Sequence, residues 1–302
     1  MKVSTVIPAY NAAGTIAQAL DSALAQNCPN HEIIVVNDGS TDSTASVLKR
    51  YSDRIRVVDQ SNRGAAAARN TGIARAQGKY IAFLDSDDIW LPTKLNTMVA
   101  AFEQNPGASL AFSEFATFSK PGVKCEYSTL GHAPSMRELM ELLPPILTST
   151  WIVKRDTLER IGGFCETFAG QGYEDAWMLL LLRELGEFVY VPENLTAYRV
   201  RKTDENADKY AAGLRVFIAL AKSRYGTKGR SLVRNARNMH CRFLLSKLAH
   251  QMDQGKRLAA LSTLARMATL RPAYFFEASF LERLRLPQNT KRVVQLLTGT
   301  RR

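Results

Sequence analysis

The sequence predicts an α/β fold with a mainly parallel central sheet, followed by a helical C-terminal extension. Three observations predict it. Strand-type and helix-type apolar patterns alternate from residue 3 to residue 118, the rhythm of a three-layer, right-handed βα architecture. Ile33-Ile34-Val35-Val36 is a continuous apolar run, as in a strand covered on both faces. Beyond Thr203 the apolar spacing is helical throughout. The 302 residues suffice for one large domain or two modest ones, and an apolar fraction of 46% excludes wholesale disorder.

Each element follows from its own pattern. Val3–Ile7 is a short β-rich run, and Gly14–Gln26 sets Ile16, Ala19, Leu20, Ala23 and Leu24 at helical spacing. Glu32–Asn37 is the second strand, Thr41–Tyr51 the second helix, with Ser40 or Thr41 as its cap, and Ile55–Val58 the third strand. Gly64–Ala76 is an alanine-rich helix and Tyr80–Leu84 the fourth strand. A helix follows from about Pro92 to Glu103, with its proline near the first turn, where a missing N–H is harmless. Ser109–Phe118 returns to strand. Further on, Trp151–Val153, Phe188–Val191 and Leu195–Val200 read as strands, and Asp156–Ile161 and Glu174–Leu185 as helices.

Charge divides the chain. The formal +12 is not spread evenly: residues 1–200 carry 18 Lys+Arg and 22 Asp+Glu, whereas residues 201–302 carry 22 and 6. Cys28, Cys125, Cys165 and Cys241 lie far apart, which excludes a disulfide scaffold or a zinc ribbon and suits buried thiols in a reducing compartment. The histidines His31, His132, His240 and His250 are equally scattered. Pro8 interrupts the first apolar run before a signal segment is complete, and no stretch reaches the roughly 18 apolar residues of a membrane span. The expected location is cytoplasmic, with any membrane contact peripheral. No G-x-G-x-x-G and no P-loop is present, which argues against dinucleotide-binding dehydrogenases and P-loop NTPases.

Ligands of parallel α/β sheets bind beyond the carboxyl ends of the strands. Pro8-Ala9-Tyr10-Asn11 follows the first strand, Asn37-Asp38-Gly39-Ser40-Thr41-Asp42 the second, Asn62-Arg63-Gly64 the third and Asp85-Ser86-Asp87-Asp88 the fourth. Three carboxylates within four residues repel one another unless a cation intervenes, and hard oxygen ligands suit Mg²⁺ or Mn²⁺; a solvated acidic turn capping the next helix is the competing reading. Asp38 ends a strand facing the crevice, where a carboxylate can accept the N–H of a nucleobase. Arg69, inside Ala65-Ala66-Ala67-Ala68-Arg69-Asn70, is either a solvated helix cation or a group reaching a phosphate or base. Glu174-Asp175 opens a helix, which either reflects the dipole's preference for acids or supplies a catalytic base.

Together, Val6-Ile7-Pro8-Ala9-Tyr10-Asn11, Val36-Asn37-Asp38-Gly39-Ser40-Thr41-Asp42, Gly64 to Gly72 and Phe83-Leu84-Asp85-Ser86-Asp87-Asp88 resemble the successive motifs of family 2 glycosyltransferases of the non-processive bacterial type, whose fold is GT-A, a Rossmann-like variant of the α/β class. The resemblance covers residues 1–200. It implies a catalytic domain over 1–202, with a nucleotide-binding half over 1–118 and an acceptor-binding half over 119–202, and a basic helical extension over 203–302. It implies a nucleotide-sugar donor, commonly a UDP-sugar, with Pro8 and Tyr10 lining the base pocket and Asp38 recognising the base. Arg69 would lie near base and phosphates, Asp85 and Ser86 against the donor, and Asp87 on a divalent metal, Mn²⁺ or Mg²⁺. Asp175 would be the general base of an inverting displacement, with Glu174, Trp177 and Arg201 contacting acceptor or diphosphate.

This sequence departs from the family at Tyr198-Arg199-Val200-Arg201-Lys202, where many relatives have a histidine close by; Arg201 or Lys202 would replace it as a cation. The Q-x-x-R-W signature of processive synthases is missing, so addition of one sugar per encounter is expected, to a glycan or lipid-linked acceptor in cell-surface polysaccharide or lipopolysaccharide assembly. In the basic extension, Leu232, Ala236, Met239, Phe243 and Leu248, then Leu258, Leu261 and Leu264, recur at helical spacing among Arg and Lys. That pattern reads as a packed helical subdomain or as a peripheral surface for the anionic cytoplasmic face of the inner membrane. Nucleic acid is not an expected partner, because no nucleic-acid-binding motif accompanies the charge. The reading from another class is a degenerate GT-A domain serving as a membrane- or polyanion-binding module.

Overall fold

The structure, a computed structural model, describes residues 3–118, 126–128, 130–142, 144–200 and 206–271. The chain divides into two compact units, residues 1–201 and 202–302. In order, the first unit comprises β1 (Val3–Ala9), α1 (Ile16–Leu24), β2 (His31–Asp38), α2 (Thr44–Lys49), β3 (Arg56–Gln60), α3 (Ala65–Arg75), β4 (Tyr80–Phe83) and β5 (Ile89–Trp90). It continues with α4 (Lys94–Gln104), β6 (Leu110–Phe118), β7 (Glu126–Ser128), α5 (Met136–Leu142), β8 (Trp151–Lys154), α6 (Arg155–Ile161), α7 (Glu174–Leu185) and β9 (Phe188–Arg199).

The strands form one mixed sheet in the order β3-β2-β1-β4-β8-β6-β9-β5, with β7 beside β6. The strands β3, β2, β1 and β4 are mutually parallel, as expected of βα units. Between β4 and β6, β8 runs antiparallel to both, and β9 lies parallel to β6. Register sets Ala9 beside Asn37 and Val6 beside Phe83, so the carboxyl ends of β1, β2 and β4 open along one edge. Ile7, Ile16, Leu20, Val35, Met98 and Phe102 belong to the core that α1 and α4 form with the sheet. On α3, a Cβ at Gly72 would stand 2.3 Å from Val6 Cγ1, so only glycine lets α3 lie this close to β1. Phe83 and Phe164 meet edge to face at 5.2 Å, and Trp151 stacks on Phe164 at 6.3 Å, an aromatic floor beneath the strand ends.

Three local expectations need correction. The second helix begins at Thr44, not Thr41, and neither Ser40 nor Thr41 caps it. Asn11 Oδ1 accepts the Thr41 and Asp42 N–H groups at 2.8 and 3.3 Å, and the Asp42 carboxylate accepts those of Thr44 and Ala13 at 2.9 and 3.1 Å. These side-chain bonds hold residues 40–43 in a loop rather than a helical turn. The two strands expected over 188–200 are one, β9, whose pairing with β6 shifts at Ser113–Phe115 and so absorbs Pro192. The sequence pattern predicts no counterpart of β5, β7 or α5; β5 has two residues, too few for a period to register.

The second unit contains α8 (Asn206–Tyr225), a 3-10 turn at Gly226–Gly229, α9 (Arg230–Asp253) and α10 (Arg257–Leu270). Cys241, Leu244, Leu245 and Leu248 of α9 pack with Ala260 and Met267 of α10. The apolar stripe expected on α10 is only partly covered: Leu258 is 84% exposed and Leu261 54%, whereas Leu264 packs against the core beside the buried Ala260 and Met267. No helix among the described residues is long and apolar enough to cross a membrane.

Candidate active site

The open edge carries the expected groups. Pro8 is half-buried and Tyr10 is 50% exposed at the end of β1. Asn11 follows in the left-handed region (φ 49°), which turns its side chain onto the 40–42 loop. Asp38, at the end of β2, is buried and heavily engaged. Its Oδ1 accepts from Gln60 Nε2 at 2.7 Å and from the Arg63 N–H at 2.9 Å, and its Oδ2 accepts the Gly64 N–H at 2.8 Å. Asp38 therefore first fastens the β3–α3 loop. A carboxylate has about four lone-pair sites, and three are filled.

Past β4, the acidic turn is shaped by a residue the sequence did not single out. Ser149, in the buried 3-10 turn Thr148–Thr150, donates its hydroxyl proton to Asp88 Oδ2 (2.5 Å) and accepts the Asp85 N–H (3.0 Å). Its carbonyl accepts from Trp90 Nε1 at 2.8 Å. Asp88 also accepts the Arg199 N–H at 2.9 Å, and Arg199 Nε donates to the Asp87 carbonyl at 2.8 Å. Burial, with Asp85 and Asp87 adding repulsion, holds the Asp88 carboxyl well above the usual carboxylate range. Asp88 is thus a structural pin of the turn, Ser86 is buried, and Asp85 and Asp87 remain partly exposed. Arg199 is a cation beside this turn, as is Arg69 through Asp85; Arg201 and Lys202, the expected ones, lie outside the described residues.

Arg69 is neither a solvated cation nor open to the crevice. It is 4% exposed and joins the acidic turn to the start of α7, through NH2 to Asp85 Oδ1 at 2.8 Å and NH1 to Glu174 Oε1 at 3.1 Å. Its guanidinium lies over the Phe164 ring, 5.2 Å from the centroid. Burial alone would lower its pKa, but Asp85 and Glu174 outweigh burial and hold it above its ordinary value. Arg69 Nε and Glu174 Oε2 are buried without a hydrogen-bond partner. One residue on, the half-buried Asp175 is pushed up to about 6 by burial first and by the Glu174 charge second, with Arg69 opposing. Its Oδ1 accepts the Ala176 N–H at 2.7 Å, and Trp177 is buried behind it.

The same helix α3 is stitched to the segment before α7. Asn70 Nδ2 donates to the Phe164 carbonyl (2.8 Å) and Glu166 (2.9 Å), Asn70 Oδ1 accepts the Phe164 N–H (2.7 Å), and Arg63 pairs with Glu166 at 2.6 Å. Gly64 and Gly170 meet backbone to backbone: a Cβ on Gly64 would fall 2.7 Å from Gly170 Cα. Among the described residues, no group of three or more His, Cys, Asp and Glu is arranged to hold a metal.

The family model for Glycosyl transferase family 2 matches residues 4–162, just over half of the chain. The chain belongs to that family. It is 29% identical to the glycosyltransferase GlyA of Streptococcus pneumoniae over 218 residues, 67% of this chain and 31% of GlyA. It is 39% identical over 136 residues to TuaG of Bacillus subtilis, a glycosyltransferase named for teichuronic acid biosynthesis, covering 44% of this chain and 53% of TuaG. The chain therefore spans about a third and about half of these two relatives. Residues 1–349 of TarS from S. aureus share the GT-A fold, with a TM-score of 0.57, 18% identity and 91% of each chain covered. TarS 1–349 has also been solved with UDP and with UDP-GlcNAc.

Proposed function

We propose that this chain is an inverting glycosyltransferase that moves one sugar from a nucleotide-sugar donor, a UDP-sugar, to a hydroxyl of a glycan or lipid-linked acceptor in cell-surface polysaccharide assembly. The observation that carries the reading is the buried Arg69, which ties the acid turn at the end of β4 to the acid pair that opens α7. TuaG's name, and the UDP and UDP-GlcNAc complexes of TarS, support the pathway and the donor class.

In this reading residues 1–202 are the catalytic domain, 1–118 its nucleotide half and 119–202 its acceptor half. Tyr10 offers an exposed ring against the base beside Pro8, and Asp38 accepts a base N–H on its remaining lone pair. Asp85 and Ser86 face the sugar and ribose. Asp85 and Asp88 are already engaged by Arg69, Ser149 and the Arg199 N–H, so the turn is no all-carboxylate cage. It fits an ion completed by substrate phosphates and water, the usual setting of Mg²⁺. Asp87 would hold that Mg²⁺ or Mn²⁺, and the cation would supply positive charge to the departing diphosphate. Glu174, Trp177 and Arg201 are the candidate contacts of the acceptor or diphosphate, and of these Glu174 also holds Arg69.

Asp175 takes the proton of the acceptor hydroxyl as the new bond forms on the face opposite the leaving group, which inverts the anomeric carbon. A base held near 6 is ionised at neutral pH yet still accepts a proton readily. Asp175→Asn is expected to lower turnover of a UDP-sugar by about 10²- to 10⁴-fold, with UDP affinity unchanged in calorimetry. Full transfer by that variant would overturn the assignment. Absence of metal-linked stabilisation by UDP or GDP would instead favour a binding module. The exposed Leu258 and Leu261 beside Lys256 and Arg257 support peripheral attachment to an anionic cytoplasmic membrane face, and the free thiols Cys28, Cys165 and Cys241 suit that reducing side.

A further inference from the structure

The second unit contains a basic cavity that the transfer reaction does not use. Its volume is about 350 Å³, within the range of ligand sites. Five cations line it: Lys222 from α8, Arg230, Arg234 and Arg237 from α9, and Arg271 just past α10. Arg230, Arg234 and Arg237 recur at i, i+4 and i+7, which puts them on one face of α9. Among the described residues, no acid lines it. Among the described residues Lys222, Arg230, Arg234 and Arg237 make no ion pair, and Arg237 Nε is buried with no hydrogen-bond partner. Arg271 instead donates to the Asn238 side chain. The N-terminus of the 24-residue α9 opens here through Gly229, with no side-chain cap and no acid in its first turn.

Lys222, Arg230 and Arg234 are exposed at this cavity, and Arg237 is half-buried. Here three elements bring like charges to one concavity, an arrangement that self-repels until an anion enters. Guanidinium groups present paired donors matched to phosphate oxygens, and a buried unpartnered Nε is a donor without an acceptor. We propose that this cavity is a binding site for a phosphoryl group, carried either by a lipid headgroup or by a soluble phosphate. None of these lining residues is among those proposed above for the donor diphosphate.

The test uses the full chain in EDTA, which removes any metal-dependent diphosphate binding at the donor residues. Inorganic pyrophosphate is titrated by calorimetry, and sedimentation is measured with phosphatidylcholine vesicles with and without phosphatidic acid. The variants are Arg234→Gln, Arg237→Gln and, as a control, Arg242→Gln, an exposed cation of α9 outside the cavity. Arg234 is itself exposed, so its replacement leaves helix packing intact if Arg237→Gln proves unstable. A loss of about tenfold or more in affinity is expected for the two cavity variants, with the control unchanged. If vesicle binding falls with them and pyrophosphate competes, the source is a lipid headgroup; if only pyrophosphate binding falls, it is a soluble phosphate. If neither readout separates the cavity variants from Arg242→Gln, the charge is a generic surface and the proposal fails.

Discussion

The two units handle charge in opposite ways. In the first, acids and cations meet inside the fold: Arg69 is shared by Asp85 and Glu174, and Asp88 is held by Ser149 and the Arg199 N–H. In the second, Lys222, Arg230, Arg234 and Arg237 gather with no ion pair among the described residues. Buried charges compensated by neighbours give rigidity to the residues around them; cations that make no ion pair leave their hydrogen-bonding capacity to something from outside. The net charge of +12 therefore conceals a self-neutralised site and an open basic one.

Replacing single residues can break this contrast. Arg69→Met should have the largest effect on folding, because it leaves two carboxylates facing each other without their cation; we expect a loss of about 3–5 kcal/mol in urea unfolding. A loss below about 1 kcal/mol would mean that the pair is solvated after all. Ser149→Ala removes the hydroxyl between Asp85 and Asp88, and about 1–3 kcal/mol should go with it, read by the same denaturation. Glu174→Gln sharpens the comparison through pH. The base must be ionised, so the transfer rate of the wild type should fall as pH drops through about 6. Removing the Glu174 charge takes away a repulsion that raises Asp175, so the inflection should move to lower pH; an upward move would contradict the assignment. Arg237→Gln, by contrast, should leave the melting temperature in low salt unchanged or slightly raised, since one member of a repelling set is gone. A clear drop would show that Arg237 is as well partnered as Arg69.

Much of the first unit was legible because its information is local. The run Val3–Ile7, the apolar core of β2 and the alanines of α3 announce their elements by period, and Asp85-Ser86-Asp87-Asp88 announces itself by charge. The insertion of β8 between β4 and β6 was not legible, because strand order is decided by packing between segments distant in sequence. Arg69 was singled out, but its partner Glu174 lies 105 residues on, and a helix of alanines gives no hint of the buried ion pair. Ser149 carried no signal at all: a hydroxyl in Thr148-Ser149-Thr150 looks like any other polar turn. In α10 the leucines misled, because the periodicity of Leu258 and Leu261 identifies a stripe and not what covers it.

The contact between Gly64 and Gly170 ties the history of one loop to that of the other. Both backbones have positive φ, at 87° and 71°, and each occupies the space a side chain on the other would need. A mutation at either codon would be felt first as a gap prised open between the loop that Asp38 holds and the segment leading into α7. New donor or acceptor preferences can therefore arise by changing what surrounds this seam, while the seam itself stays closed to single-step exploration.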